Sequence, residues 1–291
     1  MAVTEIGISN RRARPMDFFE LTKPRITFTV LVSTIVGFYA GSQGSIQILP
    51  LLHTILGTAL VAAGASALNQ YIERDLDALM IRTRTRPIPD GRLSPNEALA
   101  FSLAISAIGT AYLAIFVNLL TAGLGVFTIL AYLFLYTPLK TRTTWCTLIG
   151  AFPGATPPLM GWAATRGDLD IAGLSLFAIM FLWQMPHFFA ISWMCTEDYA
   201  RAGFKVHSSG IGTGRQIIFY CCALIPVSLL PTLSGVTGRW YLLGALVLGF
   251  VYLGYGVALA TARTNTYAQR LLKTSIAYLL LLFALIVVDK A

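Results

Sequence analysis

The stretch that decides this chain is Asn69-Gln-Tyr-Ile-Glu73-Arg-Asp75-Leu-Asp77, followed by Arg82-Thr-Arg-Thr-Arg86-Pro87. It comes directly after an apolar run from about Leu49 to Leu68. Continued as one α-helix, that run places Asn69, Glu73 and Asp77 on one face, stacked roughly 6 Å apart at about 1.5 Å rise per residue. Asp75 falls on the opposite side of the same helix. Three oxygen-bearing side chains in a column suit a hard divalent cation. The arginines just beyond carry forked guanidiniums that grip phosphate oxygens through paired hydrogen bonds. Carboxylates beside guanidiniums at the mouth of a membrane helix point to a Mg2+–diphosphate site. The plainer alternative is a charged loop that solvates a helix end, and the four-residue spacing favours the site.

Outward from that stretch, the 291 residues are 56% hydrophobic and 12% charged. A soluble domain carries about twice that charged fraction. Apolar runs of about 17–25 residues recur along the chain, each long enough to cross a ~30 Å hydrocarbon layer. Nine spans are predicted, with cores near 25–41, 49–69, 97–117, 120–137, 145–164, 171–194, 216–233, 240–261 and 273–288. The fold class is therefore an all-α polytopic membrane protein. Residues 1–21 read as a basic tail ending in an interfacial segment, with Phe18 and Phe19 directed to lipid. Residues 22–291 read as one transmembrane domain. Thr22 is predicted to cap the first span, and Ser94-Pro-Asn-Glu97 to form a capping box at the third. The four cysteines, at 146, 195, 221 and 222, form no metal-binding pair and read as reduced packing residues.

The net charge of +8 is explained by topology rather than by nucleic acid, which is not an expected partner. All lysines and arginines except Arg166, Arg239 and Lys290 fall in the N-terminal segment or the loops after spans 2, 4, 6 and 8. The positive-inside rule then sets the N-terminus in the cytoplasm and the C-terminus outside. A second acidic pair, Glu197-Asp198, follows span 6 as Glu73 to Asp77 follow span 2. That suggests a weak parallel duplication of spans 1–4 in 5–8, with two acidic patches facing each other across a ring.

Seven motifs carry a resemblance. They are Leu21-Thr-Lys-Pro-Arg25, the Asn69–Asp77 column, Arg82-Thr-x-x-Arg86-Pro87, Tyr136-Thr-Pro-Leu-Lys140, the Gly150–Trp162 segment with Pro157-Pro158, Trp183-Gln-x-Pro186-His187-Phe188, and Asp198-Tyr-Ala-Arg-Ala-Gly203. Together they resemble the UbiA superfamily of intramembrane prenyltransferases, and the Trp183–Phe188 motif resembles its haem-farnesylating branch. Three departures stand out: Glu73 in place of an aspartate, Thr144-Trp-Cys146 at the start of span 5, and Gly203-Phe-Lys-Val-His207 in the loop after span 6.

The resemblance implies a UbiA-like bundle in the cell inner membrane, with its active site towards the cytoplasm. It implies transfer of a farnesyl group from farnesyl diphosphate to a vinyl group of haem b, with hydration, giving haem O. Mg2+ would be held by Asn69, Glu73, Asp77 and Asp198. A departing diphosphate needs positive charge, assigned to Arg25, Arg82, Arg86, Lys140 and Lys205. His187, an ionisable group inside a span, would serve the haem as iron ligand or proton carrier. A link to haem A synthase or terminal oxidase assembly follows from the product. Three rivals remain at this point: a related enzyme acting on a quinone precursor or chlorophyllide, a secondary transporter, and a non-catalytic assembly factor.

Overall fold

The computed structural model describes residues 13–207 and 210–291. Arg11 and Arg12 of the basic tail lie outside the described residues. The elements in order are α1 (Pro15–Leu21), α2 (Pro24–Gly41), α3 (Ile48–Leu79), α4 (Pro95–Phe116), α5 (Leu119–Leu130), a π-helical turn (Ala131–Tyr136) running into α6 (Thr137–Leu139), α7 (Cys146–Arg166), α8 (Ile171–Met194), α9 (Thr196–Arg201), α10 (Ile211–Val227), α11 (Leu230–Leu233), α12 (Arg239–Ala262) and α13 (Asn265–Val288). Among the described residues, eight of the long helical segments are apolar enough to cross a membrane. The fifth predicted span, α7, is the one outside this set: it has 21 residues but is rich in Gly, Thr and Pro, and most of it is buried. It is walled by protein on several sides, so it needs less apolar surface than its neighbours.

α7 is the hinge of the packing. It lies against α2, α5 and α8, while α8 also packs on α10 and α13, and α13 returns to α2. The α2–α7 crossing depends on glycine. A Cβ on Gly37 would overlap the Pro158 carbonyl, and one on Gly161 would overlap the Thr34 carbonyl. Trp183, Tyr241, Tyr252 and Tyr278 anchor the largest core cluster, on the α8–α10–α12–α13 side.

Two details of the N-terminal region differ from expectation. Lys23, not Thr22, is the cap residue of α2, in a left-handed conformation at φ 51°. Thr22 instead turns its hydroxyl back to Phe19 O at 2.7 Å. In α1, Phe19 is exposed, but Phe18 packs on Phe101 with ring centroids 5.0 Å apart. The Ser94–Glu97 capping box is present as read.

Candidate active site

α3 is 32 residues long, about 48 Å at the α-helical rise, against a hydrocarbon layer of ~30 Å. It is long enough for its final turns, which carry the column, to extend past the apolar layer. Asn69, Glu73 and Asp77 are 1%, 4% and 1% exposed, because their shared face turns inward. They line a cavity of about 150 Å3 together with Lys23, Arg82, Arg86 and Lys140.

Inside it, each oxygen donor meets its own cation. Lys140 Nζ lies 2.6 Å from Glu73 Oε1, and Arg86 Nη1 lies 2.6 Å from Asp77 Oδ2. Lys23 Nζ donates to Asn69 Oδ1 at 2.9 Å. Burial opposes the charge on Lys140, but the Glu73 carboxylate outweighs it and holds the ammonium above its ordinary pKa. Among the described residues, Lys23 has no carboxylate in contact. Burial, then the nearby Arg86 and Lys140, bring it down to about 7. The site is short of anions and would welcome a polyanion.

Three local features position these groups. The π-helical turn sets Tyr132 and Tyr136 in a stack with centroids 5.4 Å apart, in keeping with the habit of π-turns to mark functional sites. Tyr132 donates to Asn69 Oδ1 at 3.2 Å, and Lys140 Nζ sits 4.5 Å above the Tyr136 ring. Gly150 on α7 makes room for that ring, since a Cβ there would meet it. The loop between α3 and α4 is tied from two sides. Arg92 pairs with Asp17 and Glu20 of α1, and Asp198 of α9 accepts from the amides of Ile81 (3.1 Å) and Arg82 (3.3 Å).

Asp198 thus reaches across the ring to the loop that follows the column. It does not line the cavity; its oxygens hold backbone N–H groups and Arg201 at 2.8 Å. Burial works against its ionisation, but those amides, with Arg201 and Arg82, hold the carboxyl below its usual range. Arg25 and Lys205 are exposed and lie outside the cavity lining. Lys205 contributes its backbone N–H to Lys140 O at 2.6 Å. His187 is half-buried on α8, where it bonds Ser275 of α13 at 2.7 Å. Sequence reasoning assigned neither Lys23 nor Tyr132 to the site. The signals were present: Lys23 precedes the helix-opening Pro24, and Tyr132 sits one helical turn before Tyr136.

A second cavity, about 300 Å3 and mostly apolar, shares Tyr132 and Tyr136 with the first. Its walls include Val30, Ala62, Ala65, Pro157 and Phe188. A charged chamber thus lies beside a greasy one, with two tyrosines lining both, an arrangement that suits an amphiphile with an anionic head and a hydrocarbon tail.

The donors suit Mg2+. Asp77 Oδ1 is buried without a hydrogen-bond partner. Among the described residues no three His, Cys, Asp or Glu side chains gather as a cage. Mg2+ commonly takes one or two carboxylates and completes its shell with water and substrate phosphates, which is what two acids and an amide beside a cationic chamber provide.

Residues 30–285 match the model of the UbiA prenyltransferase family. A protoheme IX farnesyltransferase of Solibacter usitatus is 51% identical over 94% of this chain and 98% of its own. A structure described with the biosynthesis of digeranylgeranylglyceryl phosphate synthase in membranes superposes with a TM-score of 0.79 at 19% identity, covering 94% of this chain and 97% of that one. A UbiA homologue of Archaeoglobus fulgidus, bound to GPP and Mg2+, superposes with a TM-score of 0.64 at 16% identity over 93% and 99% of the two chains. Bundle, cavities and sequence agree: the chain belongs to the UbiA prenyltransferase family and is an enzyme of the same branch as the protoheme IX farnesyltransferases.

Proposed function

We propose that this enzyme transfers the farnesyl group of farnesyl diphosphate to a vinyl group of haem b, with addition of water, to give haem O. The observation that carries the reading is a charged chamber beside an apolar one, with Tyr132 and Tyr136 lining both. The diphosphate sits with Lys23, Arg82, Arg86 and Lys140, and the farnesyl chain lies between α2, α3 and α7. Asn69, Glu73 and Asp77 would hold Mg2+, which would supply Lewis-acid neutralisation of the diphosphate charge. As the allylic C–O bond breaks, the diphosphate leaves with the bonding pair, and the cations released from Glu73 and Asp77 receive it. The stacked tyrosine faces stabilise the allylic cation. Its C1 bonds to the terminal vinyl carbon. Water then adds to the inner vinyl carbon and loses one proton.

Asp198 acts in this scheme by fixing the loop that bears Arg82. His187 serves the haem on the α8–α13 side. The charged end faces the cytoplasm of a cell inner membrane, in line with the basic loops. α7 counts as a ninth span shielded by its neighbours, and residues 22–291 form one domain. Haem O would pass to haem A synthase or a terminal oxidase.

Purified enzyme with farnesyl diphosphate, Mg2+ and haem b is expected to yield a porphyrin of the mass of haem O. No haem product, with turnover of 4-hydroxybenzoate instead, would overturn the acceptor. Full activity after removal of all divalent cations would overturn the metal.

A further inference from the structure

Between α8 and α13, away from the diphosphate chamber, the side chains of Trp183 and His187 converge on one serine. Ser275 is fully buried. Its carbonyl accepts from Trp183 Nε1 at 2.7 Å. Its hydroxyl lies 2.7 Å from Leu272 O, one turn back on α13, and 2.7 Å from His187 Nδ1. Tyr252 closes the network by donating to Trp183 O at 3.2 Å. Trp183 and His187 are one turn apart on α8 and stack, with centroids 5.0 Å apart and planes at 29°.

A serine hydroxyl has one hydrogen. Directed to Leu272 O, it leaves the oxygen as an acceptor, so His187 must supply the hydrogen from Nδ1. In a neutral imidazole the proton is then fixed on Nδ1, and Nε2 keeps a bare lone pair. No protein group among the described residues bonds Nε2, and the ring is half-buried rather than enclosed. Metal-ligating histidines are built this way: the distal N–H is held by an acceptor, which fixes the ring and raises the basicity of the other nitrogen. His53 provides a contrast. Its Nδ1 faces the Tyr112 hydroxyl at 2.7 Å, and that hydroxyl has no other acceptor among the described residues. The hydroxyl is therefore free to donate to Nδ1, which would leave the His53 proton on Nε2.

We infer that Ser275 is a positioning residue that sets the tautomer of His187 and so presents a bare Nε2 to the iron of the haem acceptor. This rests on the haem reading above, and its test is separable from that reading.

The full-length protein, labelled with 15N at its three histidines, is examined by NMR without haem. His187→Gln assigns the His187 signals. Wild type is expected to carry the His187 proton on Nδ1, Ser275→Ala to shift it towards Nε2, and Ser275→Thr, which keeps the hydroxyl, to restore it. Ferric haem b is then titrated while the Soret band is followed. Nitrogen ligation is expected in wild type, about 10–100-fold weaker binding in Ser275→Ala, and loss of the ligated spectrum in His187→Gln. An Nε2–H tautomer in wild type, or a Ser275→Ala protein unchanged in tautomer and haem affinity, overturns the inference. A haem spectrum indifferent to His187→Gln also overturns it, and says nothing against farnesyl transfer, which the product mass tests on its own.

Discussion

In the structure both carboxylates of the α3 column already have cationic partners, Glu73 in Lys140 and Asp77 in Arg86. A divalent cation arriving alone must displace two charged partners. A hydrogen bond to a charged group contributes about 1.5–3 kcal/mol, so the two displacements oppose metal binding by roughly 3–6 kcal/mol. Arg86 keeps 22% of its side chain exposed, which places the sum towards the lower end. A diphosphate bound at the same time gives both cations new anionic partners and removes most of that opposition. Mg2+ and the prenyl diphosphate should therefore assist each other by roughly two to four powers of ten, at about 1.4 kcal/mol per tenfold. The assay is calorimetric titration of Mg2+ into purified enzyme, with and without farnesyl thiodiphosphate, after subtracting the association of Mg2+ with the analogue in solution. Lys140→Met sharpens the test. It removes the competitor from Glu73, so Mg2+ should bind the ligand-free variant more tightly than wild type while coupling falls. Equal Mg2+ affinity with and without the analogue, or weaker binding to ligand-free Lys140→Met, would refute the reasoning.

Four further outcomes follow from particular contacts. Lys23→Met should abolish most farnesyl transfer and Arg25→Ala should leave it near wild type, because Lys23 lines the chamber and Arg25 is exposed; steady-state rates of the two variants decide it. Asp198→Ala should raise the KM for farnesyl diphosphate through the Arg82 loop and leave the Mg2+ half-saturation unchanged, whereas a metal ligand would move both. The Asp198 carboxyl is held below its usual range, so its ties to Ile81 and Arg82 are complete above about pH 4 and are lost only as pH falls below that, which a pH profile of KM would register. Gly37→Ala should destabilise the bundle by about 1–3 kcal/mol, since the new methyl overlaps the Pro158 carbonyl, and Gly123→Ala, with open space around it, should not; thermal unfolding in detergent compares them. Ala65→Phe should fill part of the apolar cavity and shift preference from farnesyl towards geranyl diphosphate in a competition assay.

Much of this architecture was legible because membrane helices write themselves in long apolar runs, and because a helix that outlasts its apolar run keeps its face. The inward turn of Asn69, Glu73 and Asp77 follows from spacing alone. What spacing does not contain is the aim of side chains brought from distant elements. Arg25 and Lys23 are two residues apart and chemically alike, yet the left-handed backbone at Lys23 sends only one of them into the chamber. Asp198 carries the right charge in the right loop, but two amides 116 and 117 residues away claim its oxygens. Tyr132 was hidden because a π-turn changes the helical register, and period-based reading assumes that register to be constant. The apolarity of α7 was overrated, since helices enclosed by other helices can carry Gly, Thr and Pro where lipid-facing ones cannot.

The most direct measurement is the rate of haem O formation by the isosteric double variant Glu73→Gln/Asp77→Asn, at saturating Mg2+, beside wild type and Asp75→Asn. The column is expected to bring metal and diphosphate together, so the double variant should lose at least roughly a hundredfold in rate, while Asp75→Asn, altered on the exposed side of the same helix, stays near wild type. A correctly folded double variant turning over within a few-fold of wild type would contradict the account.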